Sequence, residues 1–201
     1  MRCENLRERP VIVTFRTVVT FAAICLLPVL ALAPTRASAG NHEPNDWQVR
    51  LQEELPLLGH RNWIAVVDSA YPLQTSAGIE TVNTNADQLE VVKTVLEQLA
   101  KAKHVRPVIF TDAELKAVPE TDAAGVTAYR LALSNLVGKT EAQSLPHEGI
   151  ISQLDEAGKT FHILVLKTNL TIPYTSVFIR LECAYWKPDA EKRLRESMAS
   201  H

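Results

Sequence analysis

Four polar side chains in this chain have the types and spacing needed for proton transfer: His60, Asp68, His147 and Tyr174. Each stands at the end of an apolar segment. His60 follows Leu58-Gly59 and precedes Asn62-Trp63-Ile64-Ala65-Val66-Val67, and Asp68 follows directly on that run. His147 lies in Pro146-His147-Glu148, and Tyr174 in Ile172-Pro173-Tyr174-Thr175-Ser176, which opens another apolar run. An imidazole titrates at about pH 6.5 and can give or take a proton near neutrality. A carboxylate accepts hydrogen bonds, and a phenol adds an apolar face to a donor hydroxyl. Each residue also has a plainer reading. These are a loop histidine on a backbone carbonyl, a carboxylate capping a turn, a solvated first-turn histidine and a packing tyrosine.

The elements around them constrain how they can act together. Trp63 to Val67 reads as a strand buried on both faces, as in a parallel sheet. Asp68 then falls at a carboxyl-terminal sheet edge, where open α/β sheets bind ligands. Eight extended residues span about 26 Å at about 3.3 Å each. A straight strand therefore puts His60 and Asp68 of one chain at opposite ends, beyond the reach of one small molecule. A sharp bend would join them, but the reading adopted is a site shared between two subunits. His147 falls in the first turn of a helix, whose positive end favours a neutral ring able to hydrogen-bond a hydroxyl. Pro173 fixes the backbone ahead of Tyr174. A metal held by His60, Asp68 and His147 is chemically feasible, yet no His-x-x-x-His spacing supports it, and no metal is expected. His42 and His201 lie near the termini, His104 ends a helix and His162 alternates on a strand; none is read as functional.

Periodicity supplies the frame. Trp47, Leu51, Leu55 and Leu58 recur at helical spacing behind Asn45 or Asp46, with Pro56 disturbing the last turn and Gly59 as the stop. Residues 68–85 read as a long loop with a short strand near Ile79 to Val82. Asp87 to Lys103 is an amphipathic helix, and Val105 to Phe110 a strand. Thr111-Asp112-Ala113-Glu114 reads as a capping box opening a short helix. Val126 to Leu136 fits one helix or two short pieces, and residues 138–144 are a polar connection. Leu145 to Ala157 reads as a helix stopped by Gly158, followed by strands at Phe161 to Leu166 and Val177 to Cys183. Alternating strands and helices predict an α/β fold with a mostly parallel sheet covered on both faces.

The ends and the charge balance narrow the function class. Arg2, Arg7, Arg9 and Arg16 precede the apolar stretch Val18 to Ala33, and Ala37-Ser38-Ala39 offers a small-x-small cleavage pattern. This is the anatomy of a secretory signal peptide over residues 1–39, with an apolar run short for a membrane span. Export to the periplasm or beyond is expected, with no membrane attachment after cleavage. The remaining residues 40–201 form one domain with its core at about 55–182. Removing the leader's five Lys/Arg and two Asp/Glu from totals of 21 and 23 leaves 16 basic and 21 acidic residues, net −5. No basic cluster survives, which argues against nucleic acid. Cys183 is then the lone cysteine, so the fold is held by its core and not by a disulfide.

Taken together, Leu58-Gly59-His60 with Asp68 and Pro72, then His147-Glu148, then Pro173-Tyr174 resemble the D-ribose pyranase / L-fucose mutarotase (RbsD/FucU) family from about Leu55 to Arg180. The resemblance implies a three-layer α/β/α sandwich. It also implies a cofactor-free isomerase acting on free monosaccharides, and a homo-oligomeric ring with sites between subunits. Residue by residue, it makes His60 the acid/base. Asp68, His147, Tyr174 and the backbone around Thr175 and Ser176 hold the sugar. Ring opening of a hemiacetal needs one proton removed and one delivered, which suits a histidine near its pKa. The chain departs from the family in four ways. Ser176 stands where Asn is usual, and Lys167-Thr168-Asn169-Leu170 replaces a stretch that ends in Glu. Ser69-Ala70-Tyr71 replaces an Ala-Gly opening, and an export signal precedes the domain. The alternative is a non-catalytic carbohydrate-binding or scaffold protein of the same fold. A weaker third reading is a metal-dependent hydrolase.

Overall fold

Asp46 opens the first helix by accepting the Val49 amide at 3.1 Å, so that α1 spans Trp47–Glu54 and buries Trp47 and Leu51. The computed structural model describes residues 46–138 and 142–200, all within one compact unit, Asn41–His201. The expected signal peptide over residues 1–39 lies outside the described residues. The helix ends at Glu54, two residues before Pro56, which lacks the amide a further turn would use.

Strand β1 (Trp63–Val67) is buried along its whole length. β2 is Ile79–Asn83. Helix α2 (Gln88–Lys101) starts where Asp87 accepts the amides of Leu89 and Glu90, and buries Val91, Val92, Val95 and Leu99. β3 runs over Val105–Asp112 and passes into a 3-10 turn at Ala113–Lys116. α3 (Val126–Val137) is one unbroken helix, entered through Gly125 at φ 88°, a left-handed geometry that suits glycine. β4 (Gln143–Leu145), α4 (His147–Ala157), β5 (Ile163–Lys167), β6 (Val177–Cys183) and α5 (Pro188–Ala199) complete the chain.

The strands form one sheet in the order β2-β5-β1-β6-β3-β4. Five strands share one direction, and only β6 runs against its neighbours β1 and β3. Alternation along each strand feeds two cores. Ile64, Val66, Leu164, Leu166 and Ile179 pack with α1, α2 and α3 on one face. Trp63, Ala65, Ile163, Val165 and Phe178 pack with Ile150 and Leu154 of α4 on the other. The fold is therefore α/β in three layers, with a mostly parallel sheet in the middle. Among the described residues, no helix is long and apolar enough to cross a membrane.

Two local expectations change, and one element is new. The capping box at Thr111 to Glu114 does not form: β3 continues through Asp112, whose side chain caps nothing locally. Leu145 belongs to β4, and α4 begins at His147 behind Pro146. Helix α5 gives no apolar stripe for sequence reasoning to find and buries none of its residues; Pro188 at its start is its clearest signal.

Candidate functional site

The parallel strands β1, β3 and β5 end on the same side of the sheet, and β6 begins there. At that edge Asp68 leaves β1 and accepts the Ala70 amide through Oδ1 at 2.8 Å, turning the chain. Tyr71 then folds back into the α4-side core at 5% exposure. Its hydroxyl donates to Gln74 at 3.0 Å, and its carbonyl accepts from Lys167 Nζ at 2.7 Å. Burial, helped by the charge of Asp155, pushes the Tyr71 phenol up to about 12. Asp68, Tyr71, Pro72, His147, Ile172 and Tyr174 line a cleft of about 380 Å³ at this edge.

His147 is held from three sides. Its backbone N–H donates to both carboxylate oxygens of Glu114, at 3.1 and 3.0 Å. Its Nδ1 lies 3.0 Å from Oδ1 of Asp112. The Tyr174 ring meets the imidazole edge-on, with centroids 5.7 Å apart and planes at 82°. Tyr174 adopts φ 58°, a left-handed conformation that an L-residue takes at some cost. Asp112 has no exposed side-chain surface. Burial raises its pKa, and the hydrogen bond and charge of His147 oppose the rise.

Thr175 and Ser176 stand behind the cleft and do not line it; they are 0% and 1% exposed. The Thr175 hydroxyl donates to the Ile172 carbonyl at 2.7 Å, closing the Tyr174 turn. Its carbonyl accepts from the Tyr129 hydroxyl at 2.8 Å and from Gln88. Ser176 Oγ and Asp112 Oδ2 are buried without a partner among the described residues. The register pairs Thr111 with Val177. Asp112 follows Thr111 and Ser176 precedes Val177, so both lie just past the last pair of this ladder.

His60 lies elsewhere. It is exposed ahead of β1, in a second cleft of about 480 Å³ with Arg106, Glu182, Cys183, Trp186 and Lys187. Within one chain it does not meet Asp68, as the length of the strand required. Of the six residues expected at the site, Asp68, His147 and Tyr174 share one cleft. Thr175 and Ser176 support it, and His60 is apart. The metal set of His60, Asp68 and His147 does not assemble in one chain.

Sequence reasoning missed Asp112 and Glu114, whose spacing had suggested a cap. It also passed over His162. The His162 Nε2 lies 3.4 Å from Glu54 and 3.9 Å from Glu80, in the group of His and acidic residues among those described that is close enough to hold a metal. Arg50 already occupies this knot. It holds Glu80 through two 2.7 Å hydrogen bonds, reaches Glu54 at 2.9 Å, and keeps the Glu80 carboxyl below its ordinary range. The knot ties α1 to β2 and to the approach to β5.

No family model and no curated protein matches the sequence. Solved structures similar in chain path include Bacillus subtilis RbsD complexed with D-ribose, at 20% identity and a TM-score of 0.47, covering 66% of this chain and 91% of that one. FucU from Bifidobacterium longum is 12% identical with a TM-score of 0.48, covering 67% and 94%. The fucose mutarotase of Streptococcus pneumoniae in complex with L-fucose is 17% identical with a TM-score of 0.44, covering 71% and 98%.

Proposed function

We propose that this protein is a monosaccharide mutarotase or pyranase of the D-ribose pyranase / L-fucose mutarotase type, interconverting anomers or ring forms of a free sugar. The observation that carries the reading is the convergence of Asp68, His147 and Tyr174 on one cleft at the carboxyl-terminal sheet edge. These residues come from three separate stretches of sequence. A carboxylate, an imidazole and an aromatic hydroxyl suit the hydroxyl-rich, partly apolar surface of a sugar. His60 serves as an acid/base group, delivered from a neighbouring copy, since its own cleft lies at the other end of β1. Exchange between sugar forms needs no cofactor. The working form is an exported homo-oligomer, its leader removed after residue 39.

A second reading, a carbohydrate-binding or scaffold protein without catalysis, draws on two positions. Leu170 packs against the main core where the resembling family carries an acidic residue, and Ser176 is buried beneath the cleft. One assay separates the readings. Saturation-transfer NMR on a panel of free sugars including D-ribose and L-fucose is expected to show faster exchange for at least one sugar. Binding of a sugar with no acceleration of any would replace the first reading with the second.

A further inference from the structure

We propose that Asp112 is a positioning residue that fixes His147 with its proton on Nδ1, presenting Nε2 to the cleft as a base. The carboxylate is wholly buried and lies 3.0 Å from Nδ1. A bare Nδ1 there would set a lone pair against a carboxylate oxygen, so the ring carries its proton on that side. Asp112 stands where a turn cap would, yet makes no capping bond. A buried carboxylate costs several kcal/mol unless it is paired. Its partner here is the imidazole N–H, and this charge-assisted bond is of the stronger kind. The ring has little freedom to leave: Glu114 grips the backbone amide, and Tyr174 packs edge-on. Orientation held by such surrounding groups is what a proton-transfer site requires.

The catalytic consequence rests on the reading of this cleft as a sugar site. His147 Nε2 takes the proton from the anomeric hydroxyl, and a C=O bond forms at that carbon. The ring C–O bond breaks with its electron pair going to the ring oxygen, which receives a proton from an acid, the neighbour's His60 in the proposed assembly. Reclosure runs the same steps backwards, so atoms and charges balance over the cycle. Asp112 stabilises the imidazolium formed in between, as a carboxylate behind a histidine does elsewhere. The acid and the base are then different histidines.

Nitrogen-15 NMR of the intact protein tests the assignment without reference to activity. In its neutral form His147 is expected as the Nδ1–H tautomer, and Asp112→Ala is expected to shift it toward Nε2–H. Sugar exchange in that variant should fall by on the order of 10²–10⁴, with binding much less affected. A wild-type His147 protonated on Nε2, or a tautomer unmoved in a folded Asp112→Ala, overturns the proposal. If Asp112→Ala does not fold, the wild-type tautomer alone decides. A wild type with the expected tautomer but no catalysed exchange keeps the positioning role and removes the mutarotase reading.

Discussion

The hydroxyl of Tyr129, on α3, donates to the carbonyl of Thr175 at 2.8 Å. A residue packed on the three-helix face of the sheet thereby holds the loop that presents Tyr174 to the cleft. Gln88 shares the work, donating to both the Tyr129 hydroxyl and the Thr175 carbonyl. The Gln88 Oε1 in turn accepts from Thr168, whose hydroxyl also reaches the Val67 carbonyl at the end of β1. One buried network thus joins the ends of β1 and β5 to the Tyr174 loop. Burial raises the Tyr129 phenol far above its ordinary range, so it remains a donor at all working pH values.

Tyr129→Phe should lower stability by about 1 kcal/mol, because Gln88 still satisfies the Thr175 carbonyl. Gln88→Leu should cost more, about 1–3 kcal/mol, since it removes the hydrogen bonds to Tyr129, Thr175 and Thr168 at once. Urea unfolding of the two variants gives the comparison. Equal losses would mean that the network is not centred on Gln88.

Tyr174 separates backbone strain from function. Its φ of 58° is unfavourable for an L-residue and free for glycine. Tyr174→Gly should leave stability within about 1 kcal/mol of the wild type, as relief of strain offsets lost packing. Sugar binding measured by calorimetry should nevertheless be lost. Tyr174→Phe keeps the edge-on contact with His147 and should bind weakly, isolating the contribution of the hydroxyl.

The residues that could be read in advance are those whose surroundings repeat along the chain. β1 and β6 stand out because their apolar runs are nearly continuous, and α2 because Asp87 caps a clear stripe. The opposite placement of His60 and Asp68 follows from strand length alone. Asp112 and Glu114 were hidden by their own spacing. A carboxylate three residues behind Thr111 looks like a capping box, whereas here both side chains reach across to His147. Nothing local distinguishes the two outcomes, because the competing partner lies far along the sequence on α4. The same holds for His162, whose acidic neighbours come from α1 and β2. α5 escaped because it has no buried face to leave a stripe in the sequence.

Acid stability should depend on Glu80. Its folded pKa is held below the reference value of 4.5, first by the hydrogen bond from Arg50, so its stabilising effect is present above 4.5. That contribution fades as pH falls through the lower folded value. Glu80→Gln should therefore be less stable than the wild type at neutral pH, and the gap should narrow steadily below about 4.5. Thermal melts from pH 7 to pH 3 measure this, and a gap that stays constant with pH would show that the charge is not the stabilising element.

The separation of His60 from Asp68 leads to a complementation test. His60→Ala and Asp68→Ala should each lose most exchange activity when purified alone. If each site takes His60 from one copy and Asp68 from the next, a mixed oligomer contains sites with both residues intact. Random one-to-one assembly of the two variants should restore about a quarter of the sites, since each position is filled correctly half the time in a symmetric ring. Co-expression with two affinity tags isolates such mixed assemblies, and saturation transfer on the same sugar panel reads their activity. Recovery toward a quarter of the native rate requires a shared site, because a site within one chain carries one of the two substitutions in every copy and stays inactive. Mixed assemblies no faster than the single variants would rule out a site that takes His60 from one copy and Asp68 from the next.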